Sequence, residues 1–245
     1  TSGETSGGSR LTFFDGIKSG VPIFIGYLPI AIAFGLLARN TGVPLAHTVG
    51  MSLLVFAGAS QFMALELIAL GTGAFEIVFS TFIVNIRHLL MSMSIHERAV
   101  SEGKGRKASY AFFITDEVFA VASTREESIG SSYLYGIGIM AYLGWTVNSA
   151  AGYLVGTVLP VTLQAGMGGA PYAMFIGLLV PSIKKHRKAL FLAAMAALCN
   201  SMLVLFLPTG WAIIGASVAA VVLLELIESL ISERESEEEA EEYTS

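Results

Sequence analysis

The chain has 245 residues, of which 54% are hydrophobic and 13% are charged, and its mean hydropathy is +0.69. Soluble domains average about 25% charged residues, so this composition excludes an ordinary water-soluble domain. Residues 128–183 and 189–224 contain no Asp, Glu, Lys or Arg, and apolar stretches of that length predict membrane-spanning helices. Much of the net charge of −5 lies in residues 233–242, and the rest of the chain is close to neutral, which argues against a nucleic-acid partner. The sequence predicts an all-α polytopic membrane protein.

The polar ends of the chain are expected to lie outside the membrane domain. Residues 1–18 begin with a Ser, Gly and Thr-rich stretch and residues 233–245 are acidic, so both tails are predicted to be disordered. Residues 19–232 then form one transmembrane domain, which includes a polar cytoplasmic segment at 97–130. The single cysteine, Cys199, excludes an intrachain disulfide and a thiolate metal site, and no cofactor or metal is expected.

Apolar runs predict about seven spans in this domain. The first contains Pro22 and Pro29 together with several glycines, which indicates a kinked helix packed closely against its neighbours. The second is interrupted by the small and polar residues 58–61, so a broken helix is expected there. The seven runs cover residues 20–38, 48–70, 75–95, 133–159, 171–183, 189–207 and 210–231.

Residues 108–123 are a further apolar stretch, interrupted by Thr115-Asp116-Glu117. A span needs about 20 residues, so this shorter stretch favours a re-entrant or interfacial helix, although a crossing stays open.

Basic residues in short loops face the cytoplasm, which predicts an N-terminus outside and a cytoplasmic C-terminus. Three spans before the segment 97–130 and three after it suggest an inverted 3+3 repeat with one additional span, and the sequence leaves that repeat open.

The third predicted helix carries a polar stripe. Its members recur at i, i+4, i+7 and i+11, which is one helix face, and they are Thr81, Asn85, His88 and Ser92. Such a face should contact protein or water rather than lipid, so it either lines a pathway or ties helices together by hydrogen bonds. Pro171 and Asn200, at similar places in the second half, are further candidates for lining a pathway.

Arg87 lies off this stripe, because two residues turn a helix by about 200°. It therefore needs a partner of its own, which Glu66, Asp116 or Glu117 could supply. The alternative is that Arg87 meets a substrate carboxylate, whose geometry suits a planar guanidinium. Asp116 and Glu117 are also candidates for proton coupling, as is His88.

The break in the second predicted helix is the strongest candidate for a binding site. An opened helix presents N–H groups and the positive end of its dipole to an anion, although small residues at this place also suit close helix packing. The substrate-binding candidates are Gly58, Ala59, Ser60, Gln61, Asn85 and Arg87. Trp145 and Trp211 are interpreted as packing or interface anchors.

These features favour a secondary transporter that moves a hydrophilic solute, with no enzymatic activity. A seven-helix receptor that binds a ligand without transporting it is the alternative. A retinal pump is disfavoured because residues 189–224 contain no lysine for a Schiff base. A membrane metalloenzyme is disfavoured because the four histidines form no His-Glu-x-x-His motif.

Several strings in the chain together resemble one family. These strings are PIFIGYLP at 22–29, AFG at 33–35, FAGASQF at 56–62, NIRH at 85–88 and TDE at 115–117. In this order and spacing they are similar to the AzlC family, the large subunits of two-component branched-chain amino-acid exporters. The resemblance covers about residues 15–231 and implies export of leucine, isoleucine, valine or related amino acids across a prokaryotic cell membrane. It also implies coupling to the proton gradient and a small membrane partner of the AzlD type.

Overall fold

The computed structural model describes residues 11–99, 103–125, 129–156, 169–185 and 187–242, with the single positions 158, 160, 162 and 166. Within these ranges the chain forms ten helices and an isolated β-bridge between Ala99 and Ile129. The helices are α1 (Phe13–Asn40), α2 (Leu45–Leu54), α3 (Gly58–Ala69), α4 (Ala74–Arg98), α5 (Lys104–Ala111), α6 (Asp116–Ser123), α7 (Ser131–Val155), α8 (Ala170–Lys185), α9 (Arg187–Leu203) and α10 (Thr209–Glu242). The all-α prediction agrees with this architecture.

Three of the described helices are long and apolar enough to cross a membrane. They are α1, the part of α4 at Ala74–Glu97 and the part of α10 at Thr209–Ser229. The second predicted span is divided into α2 and α3, and the fifth and sixth form helices of 16 and 17 residues, short of the length of about 20 that a straight span needs. The count of seven spans is therefore not confirmed and stays a prediction.

The first helix begins earlier than the apolar run predicts. Thr12 caps it: the Asp15 N–H donates to Thr12 Oγ1 over 3.3 Å, and the Thr12 N–H donates to Asp15 Oδ2 over 2.9 Å. This reciprocal capping satisfies N–H groups that otherwise lack a partner at a helix start. The predicted disordered tail at 1–18 is thus wrong for residues 13–18, and residues 1–10 lie outside the described part.

The last helix continues beyond the apolar run. We expected residues 233–245 to be disordered, but α10 extends through Glu242 and includes the acidic stretch. Glu has a high intrinsic helix propensity, and extending an existing helix avoids the cost of nucleation. Residues 243–245 lie outside the described part.

The described helices form two compact units. One comprises Thr1–Gly71 and Thr81–Tyr172, and the other comprises Thr72–Ser80 and Ala173–Ser245. The division does not fall at the polar segment 97–130, where the sequence suggested a boundary between repeats. The inverted repeat stays a prediction.

The first unit is built on α1 and α7, which pack against each other more extensively than any other pair of helices. Glycines make this approach possible. A Cβ atom on Gly35 would lie 2.0 Å from the Ser149 carbonyl oxygen, and one on Gly152 would lie 2.2 Å from the Ile32 carbonyl oxygen. Small residues that let helix backbones approach are typical of membrane helix pairs, so α1 and α7 form a rigid support for the shorter helices.

The second predicted span breaks at residues 55–57, between α2 and α3. Phe56 adopts a φ of +44°, a left-handed conformation that costs a bulky residue roughly 1–2 kcal/mol. Its buried ring packs edge-to-face on Tyr142, with centroids 5.1 Å apart, and lies 6.2 Å from the Phe112 ring. This aromatic contact offsets the backbone strain, so the predicted break is present and is held by packing.

The stretch 108–123 also divides into two helices, α5 and α6. The chain turns at residues 112–115, and Thr115 caps α6 by accepting a hydrogen bond from the Val118 N–H over 3.4 Å. The structure thus replaces the single short helix that we expected with two helices joined by a turn. Whether the stretch re-enters or crosses the membrane stays a prediction.

The second unit contains α9 and α10 packed together and the first turns of α4. Glu76 Oε1 accepts a hydrogen bond of 2.9 Å from the Gly210 N–H, so a side chain of α4 caps the start of α10. At the surface, Lys188 forms ion pairs with Glu225 and Glu228 at 3.0 and 2.5 Å.

Candidate functional site

The start of α3 lies among buried residues of the first unit. Its cap residue, Ala57, makes no side-chain capping bond, and Ala59, Ser60 and Gln61 in the first turn are almost fully buried. The first N–H groups of a helix have no partner within the helix, and they carry the positive end of its dipole. The Ser60 hydroxyl donates to the Ala57 carbonyl oxygen over 2.9 Å. Ser60 therefore offers its backbone rather than its hydroxyl group.

The Gln61 amide ties three helices together. Its Oε1 atom accepts hydrogen bonds from Trp145 Nε1 of α7 over 2.9 Å and from the Ala57 N–H over 3.2 Å, and its Nε2 group donates to Ser52 Oγ of α2 over 3.2 Å. The sequence predicted a substrate contact at Gln61, but the structure already gives the side chain three protein partners. Its immediate role is to hold the break between α2 and α3 open in a fixed geometry.

Trp145 occupies the centre of this site. A Cβ atom on Gly58 would lie 2.7 Å from Cη2 of the indole, so the first turn of α3 touches the ring directly. The indole also packs edge-to-face on Tyr27, with ring centroids 5.4 Å apart, and lies 5.9 Å from Phe34. The sequence suggested only an anchor at Trp145, because no local pattern identifies a partner 84 residues away.

A second polar cluster forms at the start of α6. The Tyr27 hydroxyl donates to Glu117 Oε2 over 2.5 Å and shares a hydrogen bond of 2.9 Å with Thr115 Oγ1. Because the Tyr27 proton is directed at Glu117, the Thr115 hydroxyl is the donor in the second bond. Tyr27 is buried and Glu117 is half-buried, so α1 closes over the first turn of α6. Tyr27 lies in the family string PIFIGYLP at 22–29, but the sequence assigned it no contact.

Arg87 pairs with one of the three acids that the sequence offered. Its Nη2 atom lies 2.9 Å from Asp116 Oδ2, with 35% and 24% of the two side chains exposed. Its Nε atom is buried and has no hydrogen-bond partner among the described residues. Glu66 is exposed on α3 instead. The guanidinium is thus engaged with protein, and a substrate carboxylate at this place would have to share it with Asp116.

The polar stripe of α4 faces away from the exposed side of that helix. Thr81, Asn85, His88 and Ser92 are half-buried. The outward residues are large, apolar and exposed, and they are Phe82, Ile86, Leu89, Leu90 and Met93. The Asn85 Oδ1 atom is buried and makes no hydrogen bond within the described part of the chain. The pattern agrees with a stripe that faces protein or a cavity rather than lipid.

The two candidates from the second half of the chain are not part of these clusters as described. Pro171 lies in the first turn of α8, and its side chain is outside the described part of the structure. Asn200 is half-buried on α9 in the second unit, and its Oδ1 atom has no partner among the described residues.

The first unit therefore joins two helix starts by one continuous set of contacts. Gln61 belongs to the first turn of α3 and bonds to Trp145. Trp145 packs on Tyr27, and Tyr27 bonds to Thr115 and Glu117 at the start of α6. Partner-free N–H groups favour an anion, and a carboxylate favours a cation, so the two ends differ in charge preference. Together with the three long apolar helices, these features indicate a multi-pass helical membrane protein with polar breaks inside its helices.

Comparison with known proteins identifies the family. The chain belongs to the AzlC family, since the AzlC protein family matches residues 22–159. Inner membrane protein YgaZ of Escherichia coli is 28% identical over 81% of this chain and 84% of its own length. An uncharacterized membrane protein of Archaeoglobus fulgidus is 31% identical over 86% of this chain and 93% of its own length. The branched-chain amino acid transport protein AzlC of Bacillus subtilis is 25% identical over 80% of each chain. No solved structure matches the chain.

The family match confirms the resemblance that the sequence strings indicated. It covers both helix breaks and the whole of α4, but it ends before α8. The matched region thus includes the two polar clusters of the first unit and excludes Pro171 and Asn200.

Proposed function

We propose that this protein is a secondary transporter that exports branched-chain or related apolar amino acids across a prokaryotic cell membrane. Membership of the AzlC family and the name of the Bacillus subtilis relative support an amino-acid substrate. The three long apolar helices support a membrane setting. The observation that carries the proposal is the break between α2 and α3, which leaves the uncapped start of α3 among buried residues. Transporters build solute sites at such discontinuous helices.

The substrate carboxylate is assigned to the first turn of α3. The N–H groups of Gly58, Ala59 and Ser60 are the donors, because the cap residue supplies no side-chain acceptor for them. Gln61 fixes the direction of that turn through its bonds to α2 and α7. Asn85 is the remaining substrate-binding candidate, since its amide oxygen is buried and makes no hydrogen bond among the described residues.

Arg87 is assigned to the neutralisation of Asp116 rather than to direct substrate binding. The ion pair of 2.9 Å supports this assignment. Proton coupling falls to the titratable groups at this end of the unit, which are His88, Asp116 and Glu117. Thr81 and Ser92 continue the same half-buried face of α4 and are assigned to the lining of the pathway, as are Pro171 and Asn200.

The proposed assembly contains a small membrane subunit of the AzlD type.

The N-terminus is assigned to the outside and the C-terminus to the cytoplasm, because this orientation leaves most basic loops inside. Exposed basic residues of α5, Lys104 and Arg106, are then cytoplasmic.

Efflux from proteoliposomes tests the proposal. Vesicles are loaded with labelled leucine, valine or glutamate and followed under an imposed pH gradient, with and without the small subunit. We expect leucine and valine to leave faster than glutamate, and efflux to respond to the gradient. Gln61→Ala should slow efflux, whereas the control Glu66→Gln, an exposed position on the same helix, should not. Leucine binding without any efflux would favour the receptor alternative and contradict transport.

A further inference from the structure

We propose that Trp145 is a positioning residue that couples the substrate end of the site, at α3, to the proton-binding end, at Glu117. This inference rests on the proposed transport function and assigns a role to Trp145 and Tyr27, which lie between the two ends. It predicts that occupation of one end changes the state of the other through movement of the indole.

The contacts leave little freedom for independent movement. On one side the indole donates to Gln61 over 2.9 Å and touches Gly58, where even a methyl group would lie 2.7 Å from the ring. On the other side it packs edge-to-face on Tyr27. Phe34 and Phe62 enclose the same ring, with centroids 5.9 and 6.4 Å away. Closely packed interiors pass on displacement instead of absorbing it, so a shift in the first turn of α3 must move the indole.

Movement of the indole reaches Glu117 through a single side chain. Tyr27 is the sole hydrogen-bond donor to the Glu117 carboxylate within the described ranges, and Glu117 forms no ion pair there. The neighbouring acid, Asp116, is already paired with Arg87. Displacement of the Tyr27 hydroxyl therefore removes the hydrogen bond that the Glu117 carboxylate accepts.

The charged and titratable groups around Glu117 come from three helices. Tyr27 belongs to α1, Asp116 to α6 itself, and Arg87 and His88 to α4, where His88 interacts with both members of the ion pair. Trp145, from α7, does not titrate. Because Asp116 is paired with Arg87, Glu117 is the acid that the Tyr27 contact reaches.

Fluorescence tests the coupling directly. The chain has two tryptophans, so Trp211→Phe leaves Trp145 as the single emitter. In this background we expect leucine to change the Trp145 emission, and we expect emission to change with pH in the absence of substrate. Glu117→Gln should abolish the pH response, since Gln can accept the Tyr27 bond but does not titrate. Glu97→Gln, at an exposed position of α4, should retain it.

Transport gives the second readout. Trp145→Phe keeps an aromatic ring but loses the donor to Gln61. We expect exchange of leucine against leucine, which needs no net proton movement, to fall less than driven efflux, because the lost bond to Gln61 also affects the substrate end. Net efflux driven by a pH gradient should fall by about two- to tenfold, the range that the loss of one hydrogen bond supplies.

The outcomes separate the two proposals. Absence of amino-acid transport by the wild-type protein with its small subunit would refute the proposed function, whereas the pH response of Trp145 emission would still test the contact with Glu117. A pH response that survives Glu117→Gln, or no response to pH at all, would overturn the coupling. Equal loss of exchange and driven efflux in Trp145→Phe would also overturn it, because such a result assigns Trp145 a purely structural role.

Discussion

Replacement of Gln61 by leucine should destabilise the protein strongly, and the structure gives the magnitude. The substitution removes the acceptor for two buried donors, the Trp145 indole N–H and the Ala57 N–H. A buried donor left without a partner costs about 1–3 kcal/mol, so the free energy of unfolding should fall by about 2–6 kcal/mol. Unfolding by SDS in mixed micelles, followed by far-UV circular dichroism, measures this change. Glu66→Gln, exposed on the same helix, is the control and should leave the midpoint unchanged.

A double-mutant cycle isolates the bond between Gln61 and Trp145. Trp145→Phe removes one of the two donors, so in the double variant only the Ala57 N–H lacks its acceptor. The double variant should be more stable than the sum of the single effects by about 1–3 kcal/mol. Strict additivity, or a Gln61→Leu protein as stable as the wild type, would refute the reasoning that Gln61 holds the helix break by hydrogen bonds.

Three further substitutions test other contacts. Gly35→Ala should lower the free energy of unfolding by about 1–3 kcal/mol, because the added Cβ would clash with the backbone of α7. Gly26→Ala, on the same helix, is the control: its added Cβ would have no neighbouring atom within 4 Å, so the variant should be as stable as the wild type or more stable in the same SDS titration. Arg87→Gln should cost about 1–3 kcal/mol, less than a fully buried pair because both side chains are partly exposed. Adding Asp116→Asn should recover much of that loss and restore exchange of leucine against leucine, which needs no net proton movement; recovery of stability without exchange would indicate that Arg87 contacts the substrate. Glu76→Ala should remove the cap of α10, lower stability by about 1 kcal/mol and speed amide exchange in the first turn of α10; unchanged exchange would contradict a capping role.

The sequence predicted the helix break before Gln61 but not the state of that side chain. Small and polar residues in an apolar run indicated where the helix opens, and the structure contains the opening at residues 55–57. The partner of the amide lies on α7, far along the chain, and no periodicity could point to it. The same limitation applied to Tyr27 and Glu117, which come from different helices. The partner of Arg87 was easier to predict, because a charge in an apolar helix requires a partner and the sequence offered three acids, of which Asp116 is the one in contact.

Two helix starts were predicted wrongly because the apolar runs were given more weight than the capping residues beside them. Thr12 and Asp15 form a capping box that was visible in the sequence, yet the first helix was expected to begin where the apolar run begins. Thr115, followed by two acids, is likewise a typical helix start, but it was interpreted as a polar interruption within one segment. At the end of α10 the prediction was also wrong. The acidic composition predicted disorder, but these residues continue an existing helix.

The two breaks differ in how their backbone groups are satisfied, and this difference favours a substrate with an anionic group at the start of α3. Inside a membrane, each unwound backbone group needs a partner from the protein or from a ligand. At α6 the chain supplies one, because the Thr115 hydroxyl accepts a hydrogen bond from the Val118 N–H, and the adjoining Glu117 accepts one from Tyr27. At α3 no side chain caps the first turn, and Gln61 serves the Ala57 N–H just before it. The carboxylate of an amino acid offers an anionic group for the uncapped start of α3. A purely apolar solute would leave that start without compensation.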